Sequence, residues 1–172
     1  MQSVKVVVTG PFNAGKTTFI KSVSEITVLS TEREVSDSSA GGEETTVAMD
    51  FGRITISEDV VLYIFGTPGQ ERFSFMWETL SEGMLGFVLL VDAADETSLA
   101  DATSIIGFFR SMSSVPFVVA ANRVGTSDGL DELRERLGIE ESIEVLAVDA
   151  RDRESVKHVL LALLYRILES ME

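Results

Sequence analysis

The sequence predicts an α/β domain built on a mostly parallel six-stranded sheet, with one antiparallel edge strand and helices on both faces. Three observations carry this reading. Strand-like apolar runs alternate with helix-like segments along the 172 residues, the pattern of a parallel sheet whose crossovers cover both faces. Two strand-like segments, Val47–Ile56 and Val60–Phe65, are separated only by Ser57-Glu58-Asp59, which makes them an antiparallel pair. The final segment, about Arg153–Ser170, sets Val156, Val159, Leu160, Leu163, Leu164, Ile167 and Leu168 at i, i+3, i+4 spacing, one helical face for the sheet.

Taken in order, Val4–Thr9 is a β-branched run that stops at Gly10 and reads as a buried strand. A helix follows from about Lys16 to Glu25. Thr27–Gly42 is rich in Ser, Thr, Glu and Gly, shows no period, and reads as a long exposed loop. In Val47–Ile56 the apolar positions Val47, Met49 and Phe51 give way to Ile54 and Ile56, a change of parity beside Gly52 that predicts a bulge. Gly83–Val91 reads as a central strand, Glu96–Arg110 as a helix and Pro116–Ala121 as the fifth strand. Ser127–Leu137 makes a short helix ended by Gly138, and Ile143–Val148 is the sixth strand. No repeat or linker divides the chain, so residues 1–172 read as one domain.

Composition narrows the function classes. At 45% apolar residues the chain can build a full core, and it contains no cysteine. A disulfide framework, a thiolate metal site, a cysteine nucleophile, prenylation and palmitoylation are all excluded by that. Gln2 follows Met1 where N-myristoylation requires glycine, and no apolar run approaches a membrane span. No direct membrane anchor and a cytoplasmic location are therefore expected. The net charge of −14, from 28 acidic against 14 basic residues, argues against nucleic acid and anionic lipid as partners. A nucleotide site remains compatible with such a surface where backbone amides, a lysine and a metal offset the field locally.

The strongest motif is Gly10-Pro11-Phe12-Asn13-Ala14-Gly15-Lys16-Thr17, which matches GxxxxGK[ST] at every specified position. It lies between a strand and a helix, the context the motif requires. Its glycines let the backbone wrap closely, so that amides and the helix N-terminus face phosphate oxygens. Lys16 is placed to reach the β- and γ-phosphates, and the Thr17 hydroxyl to ligate Mg²⁺.

Further segments carry a family resemblance. Thr45-Thr46-Val47-Ala48-Met49-Asp50-Phe51 is similar to the T-I-G-V-D-F that ends switch I in Rab proteins. Phe65-Gly66-Thr67-Pro68-Gly69-Gln70-Glu71-Arg72-Phe73 resembles the Rab stretch W-D-T-A-G-Q-E-R-F, and Ala14-Gly15-Lys16-Thr17-Thr18 is closer to Arf. The chain as a whole resembles the small P-loop GTPases of the Ras/Rab/Arf superfamily, in particular their bacterial and archaeal Rab/Arf-like members. The resemblance implies a three-layer P-loop NTPase fold of the Ras-like kind, GTP and GDP as ligands, and Mg²⁺ held by Thr17 and Thr46. It also implies that the Gly69 amide faces the γ-phosphate and that Gln70 orients the attacking water. Asn122 then braces the phosphate loop, the Arg123 stem lies over the purine, and Asp149-Ala150-Arg151 stands for the S-A-K segment whose alanine amide reads guanine O6. Protein partners, including roadblock-type regulators, are implied at the switch regions.

The chain departs from that pattern in several places. Gly66 stands where D-x-x-G has its Mg²⁺-orienting aspartate, so weaker metal retention is expected. Asn122-Arg123-Val124-Gly125 replaces N-K-x-D, and Gly125 cannot accept from guanine N1 and N2; Thr126, Ser127 and Asp128 are the nearby substitutes. Phe12 is bulky for its position and either crowds the γ-phosphate or packs outward. Switch I, from Thr18 to Thr46, is long, and Arg33 within it is either a solvated charge or an arginine finger acting in cis. Asp92 reads as a loop-initiating residue. Phe73 and Trp77 at i, i+4 suit packing against the sheet, while Phe75, Met76 and Trp77 suit partner contact. The leading expectation is a GTP-dependent switch with slow Mg²⁺-dependent hydrolysis. Its rivals are a nucleotide-binding module with little turnover and an NTPase of relaxed base choice.

Overall fold

The structure is a computed structural model that describes residues 2–37, 43–70, 73–125 and 129–172, with the backbone alone for 29–37 and 43–48. Seven strands and five helices follow one another as β1 (Gln2–Thr9), α1 (Lys16–Val23), β2 (Leu29–Asp37), β3 (Glu43–Ser57), β4 (Val60–Gly66), α2 (Phe75–Ser81), β5 (Gly86–Asp92), α3 (Glu96–Met112), β6 (Phe117–Asn122), α4 (Gly129–Leu137), β7 (Val145–Val148) and α5 (Arg153–Ser170). The strand order is β2-β3-β4-β1-β5-β6-β7. Strands β4, β1, β5, β6 and β7 run parallel, and β3 is antiparallel to both β4 and β2. This is the three-layer α/β P-loop fold that the sequence predicts.

The layers follow from the alternation of side chains along buried strands. In β1, Val6 and Val8 face one way, into a core with Phe19 and Ile20 of α1 and Val159, Leu160 and Leu163 of α5. Val7 faces the other way, into a second core with Trp77 of α2, Ile105 and Phe109 of α3 and Leu133 of α4. On α5 the expected apolar face is buried at Val156, Val159, Leu160, Leu163 and Ile167, whereas Leu168 is exposed. No helix among the described residues is long and apolar enough to cross a membrane.

Two local expectations change. The stretch read as a loop over Thr27–Gly42 contains β2, which extends the sheet by a seventh strand paired with β3 from Leu29↔Phe51 to Asp37↔Glu43. An edge strand is held by main-chain hydrogen bonds whatever its side chains, so it leaves no apolar period to read. The bulge expected beside Gly52 is absent: the β3–β4 ladder is regular through Phe51↔Phe65, Gly52↔Ile64 and Arg53↔Tyr63, and its irregularity falls between Thr55 and Ser57. Gly52 is there for close approach instead, since a Cβ on it would lie 2.6 Å from Ile20 Cγ2 of α1. The apparent change of parity is one strand with both faces in use. Phe51 stacks on Tyr63 on one side, and Ile54 enters the core on the other.

The chain leaves β1 toward β4 on one side and later returns to β5 on the other. The carboxyl ends of β1 and β5 therefore flank a topological switch point, where open α/β sheets bind ligands. The candidate site lies along this carboxyl edge of the sheet.

Candidate functional site

Gly10 to Thr17 leaves the end of β1 and turns into α1 through three positive φ angles, 152° at Gly10, 65° at Asn13 and 107° at Gly15. The loop closes with the Ala14 N–H donating to the Pro11 carbonyl at 3.2 Å. Lys16 is buried, and its Nζ donates to the carbonyls of Gly10 and Pro11, both at 2.7 Å. The ammonium is thus folded over the loop it follows, with its charge at the mouth of the loop. A cavity of about 510 Å³ opens there, bounded by Asn13, Gly15, Lys16, Thr17, Thr18, Asp50, Gly69 and Gln70. Burial lowers the Lys16 pKa from 10.5 to about 8, against the opposing pull of the Asp50 carboxylate.

That shift has a definite sign. Between about pH 8 and 10.5 the unfolded chain holds more protons than the folded one, so this group's contribution to stability rises with pH across that window. Anion binding runs the other way, because a phosphate needs the ammonium. In metal-free buffer, GDP affinity is expected to be flat up to about pH 8 and to fall about tenfold by about pH 9. Lys16→Arg, which stays charged, should flatten the profile. A wild-type affinity unchanged at about pH 9 would remove the assignment of Lys16 to phosphate.

The segment that follows β4 meets the loop at Gly69. A Cβ there would lie 2.5 Å from the Phe12 nitrogen and 2.6 Å from Lys16 Nζ, so only glycine brings this backbone against the phosphate loop. Gln70 borders the cavity, and its carbonyl accepts from the Phe73 N–H at 2.9 Å. Thr67 is buried beneath, its hydroxyl donating to that of Thr9 at 2.9 Å. Phe12 is 57% exposed at the rim between the phosphate cavity and a neighbouring groove lined by Gln70, Ser74, Trp77, Ile105 and Phe108. Trp77 is 3% exposed, and its Nε1–H donates to the Pro68 carbonyl at 2.8 Å, so it is core and not partner surface. Phe73 is buried as well, and Phe75 is the exposed aromatic of α2.

A second cavity, of about 700 Å³, lies on the far side of Asn122. It is lined by Asn122, Arg123, Val124, Ala147, Val148, Asp149, Ala150, Arg151 and Ser155, and shares Gly15, Thr18 and Arg123 with the first. Asn122 ties the two together: its Nδ2 donates to the Ala14 carbonyl at 3.2 Å, and its Oδ1 accepts from the Ala150 N–H at 3.4 Å. Arg123 has a φ of 61° and pairs with Asp92 at 2.7 Å, so its stem passes both cavities while its head is held at the end of β5. Asp92 also starts the following turn by accepting from the Ala94 N–H at 3.0 Å, as expected. Arg151 is held to Asp149 at 3.1 Å.

Some expected site residues are not gathered here. Thr46 lies in the β2–β3 ladder opposite Glu34, four residues or about 13 Å along the strand from Asp50, and its side chain lies outside the described residues. The Arg33 side chain, Glu71, Arg72, Thr126, Ser127 and Asp128 also lie outside them. One site residue that sequence reasoning passed over is Asp50. Thr17 Oγ1 donates to its Oδ2 at 2.5 Å. Counting back from the Ser57–Asp59 turn would have placed it opposite Gly66. No group of three or more His, Asp or Glu side chains able to hold a metal occurs among the described residues.

The comparisons with known proteins agree with this geometry. The family described as conserved hypothetical ATP binding protein matches residues 29–170. An uncharacterized protein of Methanocaldococcus jannaschii is 32% identical over 125 residues, 73% of each chain. ADP-ribosylation factor-like protein 8c of Arabidopsis thaliana is 26% identical over 147 residues, 81% of this chain and 72% of its own. The Ras-related protein Rab-3C of Mus musculus is 26% identical over 176 residues, 97% of this chain and 72% of its own. The chain belongs to the matched family, among the Ras/Rab/Arf-like P-loop GTPases. As a small-GTPase relative it is a nucleotide-binding protein. The phosphate loop at Gly10–Thr17 lies before the family match begins at residue 29, so motif and match are independent lines to the same conclusion.

Proposed function

We infer that this protein is a GTP-binding molecular switch that slowly hydrolyses GTP to GDP and phosphate. The observation that supports the reading best is the paired cavity. One half is walled by the phosphate loop and Lys16, the other by Asn122 to Val124 and Asp149 to Arg151, and the Asn122 amide stitches the two rims together. A nucleoside phosphate has that bipartite shape.

In such a complex Lys16 would exchange its two loop carbonyls for β- and γ-phosphate oxygens, and loop amides would complete the cradle. Gln70 would orient the attacking water, and the Gly69 amide would meet the γ-phosphate, both from a segment already against the loop. Oxygen donors suit Mg²⁺, and Thr17 would hold it with phosphate oxygens, where it neutralises charge on the β- and γ-phosphates. Loss of the γ-phosphate would remove one partner of Lys16 and of the Gly69 amide, and the segment around Gln70 would rearrange in response. A protein effector or regulator, roadblock-type among the candidates, would read that change at the switch surface.

A second reading is favoured by one feature. Gly125 offers no side-chain carboxylate for guanine N1 and N2, and the matched family carries the description ATP binding, so a P-loop NTPase of relaxed base choice is the competitor. One experiment separates the readings, since Trp77 is the only tryptophan and hangs by hydrogen bond from Pro68, next to Gly69. Its emission should differ between GDP and a non-hydrolysable GTP analogue, GDP should outcompete ADP, and phosphate should appear slowly from GTP. Identical spectra with both nucleotides bound, together with no phosphate release, would leave a static binding module. Equal GDP and ADP affinities would favour the NTPase. Among the described residues a Cβ at Gly125 meets nothing within 4 Å, so Gly125→Asp should be accommodated and should widen the GDP preference.

A further inference from the structure

Asp50 of β3 lies directly across the antiparallel ladder from Gly66 of β4. A Cβ built on Gly66 would stand 2.9 Å from Ile20 Cδ1, 3.2 Å from the Asp50 Cβ and 3.5 Å from its Oδ2, so between the Ile20 side chain and Asp50 the two positions share room for one carboxylate. Asp50 fills it. Its Oδ2 accepts from Thr17 Oγ1 at 2.5 Å, and it borders the phosphate cavity together with Lys16 and Gly69.

A carboxylate in this place is a problem for an anion site taken alone. Two like charges at such close range in a partly buried site repel each other strongly. Lys16 is a single cation, and two or three phosphate groups together carry more charge than it can neutralise. Asp50 becomes favourable when a divalent cation lies between it and the phosphates. Mg²⁺ suits the position because it keeps several waters and takes one or two carboxylates beside phosphate oxygens.

We propose that Asp50 is the metal-orienting carboxylate of this site, supplied from β3 in place of the aspartate that Gly66 lacks on β4. The proposal rests on the nucleotide-site reading above and deepens it. Two consequences follow. Metal retention is intact in spite of Gly66, and a second carboxylate at 66 would compete with Asp50 for the same space and with like charge, in a place that Ile20 already crowds. Gly66→Asp alone should therefore weaken the site, where the motif by itself predicts that it would strengthen it.

The test follows release of a fluorescent GDP from the full chain while Mg²⁺ is titrated upward from EDTA, with bound Mn²⁺ read by electron paramagnetic resonance. Asp50→Asn keeps the shape and an acceptor for Thr17. It should raise the Mg²⁺ midpoint for GDP retention by about 10- to 100-fold, leave GDP affinity in EDTA unchanged or improved, and reduce the bound Mn²⁺ signal. Combining Asp50→Gly with Gly66→Asp should return the midpoint to within a few-fold of wild type. An unchanged midpoint in Asp50→Asn overturns the proposal and leaves the nucleotide site standing. So does an equal loss of GDP affinity with and without metal, which would make Asp50 only a strut for Thr17. Failure of the wild-type chain to bind GDP or any other nucleotide under either condition would overturn the nucleotide reading itself, a different result from either.

Discussion

Lys16→Ala should lower GTP and GDP affinity by about 10²- to 10⁴-fold while the protein stays folded. The magnitude comes from two charge-assisted hydrogen bonds to phosphate at about 1.5–3 kcal/mol each, with tenfold in affinity for every 1.4 kcal/mol. The protein should stay folded because the Lys16 ammonium donates to the Gly10 and Pro11 carbonyls of the loop, while the core contacts of α1 come from Phe19, Ile20 and Val23. Removing a desolvated ammonium also relieves the burial that depresses its pKa. Calorimetric titration, with circular dichroism to confirm the fold, checks both parts. Undiminished affinity in a folded variant would take phosphate recognition away from this loop.

Gly10→Ala should be the most damaging single methyl group in the chain. A Cβ at Gly10 would lie 2.0 Å from the Leu90 carbonyl oxygen and 3.1 Å from its carbon, and both atoms belong to the backbone of central strand β5. Nothing flexible can yield there, and the φ of 152° is one that L residues rarely adopt. The expected loss is at least about 4 kcal/mol, against a total stability of about 5–15 kcal/mol. For a chain of this length that lowers the unfolding temperature by roughly 8–16 °C. Gly107→Ala is the control: it lies within α3, its Cβ meets nothing within 4 Å among the described residues, and alanine there should stabilise by about 0.5–1 kcal/mol. Thermal unfolding followed by circular dichroism reads both. A Gly10→Ala protein melting within about 2 °C of wild type would mean that the loop and β5 can separate freely.

Much of this molecule is determined by local patterns that a single sequence displays. The phosphate loop is legible because its backbone shape depends on glycine at fixed spacing and its chemistry on one lysine and one hydroxyl, all within eight consecutive residues. The helix Arg153–Ser170 is legible to the residue because its apolar period is long and it begins at the Asp152 cap. The burial of Phe73 and the turn started by Asp92 follow from equally short-range rules.

What the sequence left undecided depends on neighbours across the sheet. Strand β2 has no apolar rhythm because its partner supplies main-chain hydrogen bonds and asks nothing of its side chains. Trp77 reads as surface or as core until Pro68 is seen to hold its indole nitrogen. The sequence offers the Arg123 stem to a purine, but only the structure shows its guanidinium held by Asp92, thirty-one residues earlier. Gly66, read alone, is a missing carboxylate. Only the register of two antiparallel strands, fixed by the turn at Ser57–Asp59 and the packing of Gly52 on Ile20, brings Asp50 to the same place. A carboxylate acts through its position in space, and either of two adjacent strands can deliver it there.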